Sequence, residues 1–309
     1  MNALDTKALK KRIRREKLGD FTFNVCNGIF MLLVCVVTLY PFLNTLAVSF
    51  NDGIDSIRGG IYLWPRIFTL QNYKVIFSTG NLTTAFFVSV ARTVVSSVLS
   101  VFLTAMLAYT LTRKEYIFRK PITVIFVLTM YFNAGLIPNY MLIKNLHLLR
   151  NFWVYILPSL VNGFNLIVIR TYMKSIPESL VESARVDGAG EFRIFLQIIF
   201  PLATPVLATI GLFCAVGAWN SWFDTFLYNS SVPSLTTLQY ELMKLLSTSM
   251  NQNSNTGGNV VNAEAAKNLV TPVSIRAAIT IVASVPILVV YPFLQKYFVT
   301  GLSVGSVKE

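Results

Sequence analysis

The chain alternates long apolar runs with short charged connections, and the length of those runs decides what it can become. Six segments carry few charges: about 24–49, 85–112, 121–142, 152–173, 202–223 and 275–296. A helix rises about 1.5 Å per residue, so about 20 apolar residues cross the roughly 30 Å of hydrocarbon in a bilayer. Only 13% of the 309 residues are charged and 54% are hydrophobic. A soluble domain carries about 25% charged residues. The expected fold is an all-α integral membrane protein with six transmembrane helices. The third and fourth spans are the weakest, because "NAGLIPNYMLIKNLHLLRN" between them is only moderately polar.

The net charge is +12, with 26 basic and 14 acidic residues. The basic residues are not interleaved with aromatics along one stripe, which excludes a nucleic-acid binder. They gather between the apolar runs and set the orientation. The first twenty residues carry Lys7, Lys10, Lys11, Arg12, Arg14, Arg15 and Lys17. Arg113, Lys114, Arg119 and Lys120 follow the second span; Arg170, Lys174, Arg185 and Arg193 follow the fourth; Lys296 and Lys308 close the chain. These seventeen face seven on the alternate, longer loops: Arg58, Arg66, Lys74, Lys144, Arg150, Lys244 and Lys267. Both termini are therefore expected in the cytoplasm of a multi-pass cell-membrane protein.

The opening "MNALDTKALKKRIRREKLGD" does not read as a secretory signal. Its basic region is long, and the apolar run after it is about 25 residues with no clear cleavage site. The expected organisation is a basic cytoplasmic segment over 1–20, then a membrane domain over 21–309. That domain includes a cytoplasmic connection at 175–201 and an outer loop at 224–274. The outer loop holds the Asn-rich "STSMNQNSNTGGNVVNAEAAKN", expected to be mobile.

Several chemistries are missing. Cys26, Cys35 and Cys214 all lie inside apolar runs, no CxxC exists, and His147 is the only histidine. No metal site or histidine-based triad can be assembled from that set. No GxxxxGK[ST] phosphate loop occurs, so the chain should bind no ATP. No span carries a central Asp or Glu, which disfavours a proton-coupled secondary carrier. Arg92 is the only basic residue well inside a span, where it is expected to snorkel outward. A membrane-embedded glycan- or lipid-modifying enzyme is the rival from another class. Its outward acids would be Asp52, Asp55 and Asp224.

The cytoplasmic connection "ESLVESARVDGAGEFRIFLQIIFPLATP" (Glu178 to Pro205) is unusually charged for this chain. "SIPE" reads as a capping box, with Ser175 as N-cap, Glu178 three residues on and Pro177 in the first turn. A helix is expected from there to about Asp187, with Glu178, Glu182 and Arg185 on one face. Gly188 should break it by adopting the left-handed conformation of a helix end. A second helix should place Phe192, Phe195 and Ile199 on one stripe. Small residues beside the bend, Ser183, Ala184, Ala189 and Gly190, would let another surface approach closely.

This stretch resembles the EAA signature of binding-protein-dependent ABC importer permeases. Glu182-Ser183-Ala184, Gly188, Ile198 and Phe200-Pro201 fall at its spacing, and Ser183 and Phe200 depart from its consensus. "SIPESLVESARVDGA", "WNSWF" (Trp219 to Phe223) and "YPFLQKYFVTGLSVGSVKE" (Tyr291 to Glu309) are similar to the carbohydrate group, the maltose-type inner-membrane subunits. The resemblance implies a type I importer fold with a cytoplasmic coupling helix pair. It implies that Glu182, Ser183, Ala184, Asp187, Gly188, Ala189, Ile198 and Pro201 dock on a separate ATPase, and that the tail from Phe298 contacts it too. The implied partners are a second homologous permease, two ATPase subunits holding ATP and Mg, an extracytoplasmic binding protein, membrane lipid and a sugar. No cofactor is bound by this chain and no residue is catalytic. In maltose-type systems the partner permease dominates the substrate contacts. Asn133, Asn162, Asn165, Trp219, Asn220 and Trp222 are the candidates for a sugar path. For each, interhelical hydrogen bonding or an interfacial aromatic belt remains the alternative.

Overall fold

The computed structural model describes residues 3–78, 81–255 and 270–306, with side chains over 20–78, 81–248 and 270–292. Helices dominate, and strand pairing within those residues is limited to one bridge between Asn51 and Phe68. Two compact units divide the chain. One takes residues up to Val75 with Asn255–Ile281; the other takes Ile76–Ser254 and the residues from Val282 on.

The first unit opens with α1 (Ala3–Ser49), continuous from the basic segment into the first apolar run. Within it, the Thr45 hydroxyl donates to the Pro41 carbonyl at 2.7 Å. Beyond it, α2 (Gly53–Ile57) begins at Asp52, whose carboxylate accepts from the Ile54 and Asp55 amides. Asp55 is held by Asn51 and Arg66, both at 3.0 Å. Asn72, in α3 (Gln71–Ser78), donates to the Ser49 and Asn51 carbonyls at 2.9 Å.

The second unit is built on α4 (Leu82–Thr112), α7 (Gly163–Lys174) and α11 (Thr204–Asn220). Ala105 and Ala108 of α4 are fully buried, and small residues let helix axes approach closely. The core joins them to Leu166, Ile169 and Met173 of α7, to Phe195 and Ile199, and to Leu207 and Ile210 of α11. The Phe195 ring lies 5.5 Å from Tyr109, 5.7 Å from Phe200 and 6.0 Å from Phe102.

Three helices among the described residues are long and apolar enough to cross a membrane: Asp20–Ser49 within α1, α4, and Pro272–Pro292 within α13 (Pro272–Ser306). Two bent pairs raise the number to five. Phe152–Ser159 meets α7 at 52°, and Glu191–Leu202 meets α11 at 81°. The expected third span at 121–142 is not one helix. α5 (Arg119–Tyr131) and α6 (Leu136–Asn145) are parted by an extended Phe132 and by Gly135 at φ +88°. Only glycine takes that conformation without strain.

α12 (Leu238–Asn255) carries regular helix into the Asn-rich stretch, while 256–269 lie outside the described residues. α13 continues to Ser306, so the tail through Gly301 and Gly305 is helical.

Candidate functional site

The connection over 175–201 folds as two helical pieces around Gly188, but it begins later than its capping box implies. Ser175 closes α7, with its hydroxyl on the Tyr172 carbonyl at 2.7 Å. α8 (Ser179–Val186) starts four residues on. The preceding proline explains the delay: it disfavours helix at Ile176 and supplies no amide, so the chain turns before it winds again. Gly188 ends α8 at φ +77°, and the Ala189 amide reaches back to the Ala184 carbonyl at 2.9 Å. After α9 (Glu191–Ile194) the winding loosens to a π-turn over Phe195–Ile199, followed by α10 (Phe200–Leu202). The expected stripe holds only in part. Phe195 and Ile199 are buried, and Phe192 is 61% exposed.

α8 has two unlike faces. Val181 and Ala184, three apart, are sealed into the core formed by α4, α7 and α11. Ala184 thus packs inside its own chain rather than on an outward surface, and Ala189 and Ile198 pack against the same core. Glu182, Ser183, Asp187, Gly188 and Pro201 are exposed. The outward face carries an apolar side chain that the sequence reading passed over: Val186, 88% exposed. Its signal was a β-branched residue one turn beyond Glu182 among polar neighbours.

Charges fix this hairpin to the α4–α5 connection. Arg185 donates to Glu115 at 2.7 Å and to Glu191 at 2.8 Å. The Tyr109 hydroxyl, at the end of α4, donates to the other oxygen of Glu191 at 2.6 Å. Lys114 reaches Glu178 at 2.6 Å. The Arg185 hydrogen bond holds the Glu115 carboxyl below the usual range, and Lys114 does the same for Glu178. Burial works against Glu191, but Tyr109 and Arg185 together hold its carboxyl low.

A second feature lies along α4. Ser89, Arg92, Ser96, Ser100 and Thr104 form a buried polar stripe at helical spacing, legible in the sequence but not singled out there. Arg92 does not snorkel. It is 4% exposed, paired with Asp224, bonded to the Ser221 carbonyl at 3.2 Å and stacked over the Tyr155 ring at 4.6 Å. Beside it is a cavity of about 370 Å³ whose lining includes Ser96, Ser100, Tyr155, Asn162, Asn165 and Asp224.

The structure brings only two of the six path candidates to this cavity. Asn162 accepts from the Phe164 and Asn165 amides as the N-cap of α7, and Asn165 reaches the Cys214 sulfur at 3.5 Å. Asn133 instead accepts from the Gly135 amide at 2.9 Å. Trp219 is buried and donates to the Ala283 carbonyl at 3.0 Å. Trp222 lines a separate groove with Phe226, Tyr240 and Lys244, and Asn220 is exposed. The three outward aspartates of the enzyme alternative serve separate structural roles: Asp52 as a cap, Asp55 with Arg66, Asp224 with Arg92.

The family described as binding-protein-dependent transport system inner membrane component matches residues 117–304. The chain belongs to this family. It is a permease subunit of a binding-protein-dependent ABC importer, an inner-membrane component and not itself a catalyst. Protein LplC of Bacillus subtilis (strain 168) is 37% identical over 93% of this permease and 95% of that protein. The polygalacturonan/rhamnogalacturonan transport system permease protein YtcP of the same organism is 36% identical over 90% and 96%. A crystal structure of a bacterial ABC transporter involved in the import of the acidic polysaccharide alginate contains a chain like this permease at TM-score 0.77. That chain is 29% identical, with coverage of 91% of the permease and 98% of the other.

Proposed function

We propose that this permease imports oligosaccharides or glycan fragments and couples their passage to closure of two separate ATPase subunits, which hold ATP and Mg. A second, homologous permease completes the membrane pathway, and an extracytoplasmic binding protein delivers the sugar. The relatives named for polygalacturonan/rhamnogalacturonan, arabinooligosaccharides and maltodextrin support the substrate class. Six crossings with both termini cytoplasmic fit the basic-residue asymmetry. The third is made by α5 and α6 together, whose 13 and 10 residues would reach about 35 Å end to end at the usual rise.

The observation that carries the coupling role is the division of α8. One face is locked into the chain by Val181, Ala184 and the Arg185 ion pairs; the other presents Glu182, Ser183, Val186 and Asp187 with no partner in the chain's core. A helix held rigidly on one side and free on the other transmits a push on the free side to α4, α7 and α11. Gly188 sets the angle between the two helical pieces, and Pro201 leads into the span. Alternating access then follows by rigid-body rocking.

The test is biochemical. The purified permease alone should hydrolyse no ATP. The assembled transporter should hydrolyse ATP faster with sugar-loaded binding protein and accumulate the same sugar in vesicles. ATP hydrolysis by the permease alone, in a contaminant-controlled preparation, would overturn the reading.

A further inference from the structure

The 370 Å³ cavity falls within the roughly 300–1,000 Å³ of small-molecule sites. Its lining mixes polar side chains with apolar ones such as Val154 and Phe213, and it belongs to one compact unit: α4, the turns at Phe152–Ser159, α7, α11 and the segment after it. Apart from tyrosines and the Cys214 thiol, its titratable groups are Arg92 and Asp224. Arg92 is deeply buried, yet its Nε hydrogen has no partner. The other two guanidinium nitrogens are engaged, Nη1 by the Ser221 carbonyl and Asp224, Nη2 by Asp224. The Ser221 hydroxyl adds a bond to the same carboxylate at 2.6 Å. The only full positive charge in the cavity is therefore already neutralised.

We infer that this cavity receives an uncharged, hydroxyl-rich sugar unit and that Asp224 excludes a uronate. The inference rests on the importer reading above and assigns the charge class of its substrate. A neutral hydroxyl donates to Asp224, to Asn165 or to the serines of α4, which line the cavity. Hydroxyls and amides satisfy each other without charge. A carboxylate would arrive beside Asp224 with no unpaired cation to meet it. Like charges at short range in a poorly solvated site are strongly unfavourable, and an unpaired buried charge adds its own desolvation cost. Asp224 is thus a repulsive element as well as a partner for Arg92, and specificity is commonly built that way. The assignment sets this chain apart from relatives whose names carry acidic polysaccharides, and it gives this subunit a direct contact with the substrate.

Cys214 supplies the test, because it lines the cavity and is partly exposed. In the assembled transporter in lipid nanodiscs, with Cys26 and Cys35 replaced by alanine, the rate of Cys214 modification by N-ethylmaleimide reports occupancy. One arm contains a mixture of neutral malto-, arabino- and xylo-tetraoses; the other contains tri- and tetragalacturonate. A ligand at ten times its Kd should slow labelling about tenfold. The neutral mixture should do so and the galacturonates should not. Asp224→Asn leaves Arg92 uncompensated and should shift protection toward the galacturonates, with co-elution of the permease and its ATPase subunits in size-exclusion chromatography checking that the variant is assembled. Equal or better protection by galacturonate in the unmodified cavity overturns the inference. So does absence of protection by both mixtures while loaded binding protein still drives uptake, an outcome that leaves the importer reading intact. If no saccharide is taken up at all, the importer reading itself fails.

Discussion

Val186 is the residue on which the docking argument can be separated from the folding argument. It is 88% exposed and touches no core, whereas Ala184, two residues earlier, is 8% exposed inside one. Val186→Asp should leave the permease at normal abundance and thermal stability. Recovery of the ATPase in a pull-down and sugar uptake should both fall at least about tenfold, the equivalent of about 1.4 kcal/mol. Ala184→Arg should instead lower the abundance of the permease itself, because an arginine there overpacks the core and buries an unpaired charge. Glu182→Ala should be milder than either, since an exposed charge contributes little. Wild-type ATPase recovery with Val186→Asp would remove α8 from the interface. The acids around Arg185 make a pH prediction. Glu115 and Glu191 titrate below their ordinary range in the folded chain. Their contribution is complete above the unfolded value of about 4.3 and is lost as pH falls through the lower folded value. Protection factors of the α8 amides, taken relative to the intrinsic exchange rate at each pH, should therefore be unchanged from pH 8 to 5 and fall below about pH 4. Arg185→Gln should already exchange fast at neutral pH.

At the scale of elements, the close approach of α5 to α7 depends on Gly163. A Cβ at that position would meet the Phe126 carbonyl oxygen and Met130 Cγ, each at 2.9 Å. Met130 can turn away, but the carbonyl belongs to the backbone and cannot. Gly163→Ala should cost about 1–3 kcal/mol and lower the melting temperature of the detergent-solubilised permease, with Gly163→Val worse. An unchanged melting temperature would mean that α5 moves freely against α7. The same elements show why the sequence was readable in some places and not in others. The apolar runs of α1, α4 and α13 announced their helices because length alone decides a span. Gly188 announced its bend because φ +77° suits almost nothing else. Ser175 misled because a capping box and a helix C-terminus place the same serine beside the same backbone, and tertiary position chooses between them. The break at Phe132–Gly135 left no composition signal beyond a lone Asn-Ala-Gly. The face of α8 that carries Ala184 could not be assigned, because small residues suit an internal core as well as a docking surface. The partner of Arg92 was invisible for a plainer reason: Asp224 lies 132 residues away.

At the scale of the whole molecule, the proposed orientation of the chain in the bilayer would join the two sites into one mechanism. In that orientation, which the seventeen-to-seven division of basic residues supports, α8 and its ion pairs lie in the cytoplasm. α12 and the mouth of the Trp222 groove then lie on the opposite side. In the proposed coupling, α4 would carry force from the Tyr109–Glu191 contact near its C-terminal end toward Arg92, which lies seventeen residues up the same helix, about 25 Å at the usual rise. α11 would do the same from the Phe195 cluster toward Ser221 and Asp224. A shift at α8 would then act on both walls of the cavity, one through each helix, without needing a separate hinge. Orientation is tested directly with single cysteines in a Cys-free background. Lys244→Cys, on α12, should react on intact cells with a membrane-impermeant thiol reagent, and Gly190→Cys should react only after the membrane is opened. The reverse pattern would invert the chain and place α8 beyond the reach of any cytoplasmic ATPase. If the orientation holds, bound nucleotide should also change the labelling rate of Cys214 while leaving Lys244→Cys unaffected, because only the cavity lies between the two driven helices. A Cys214 rate that ignores nucleotide would mean that α4 and α11 do not move relative to each other during the cycle, and the coupling route would have to run elsewhere.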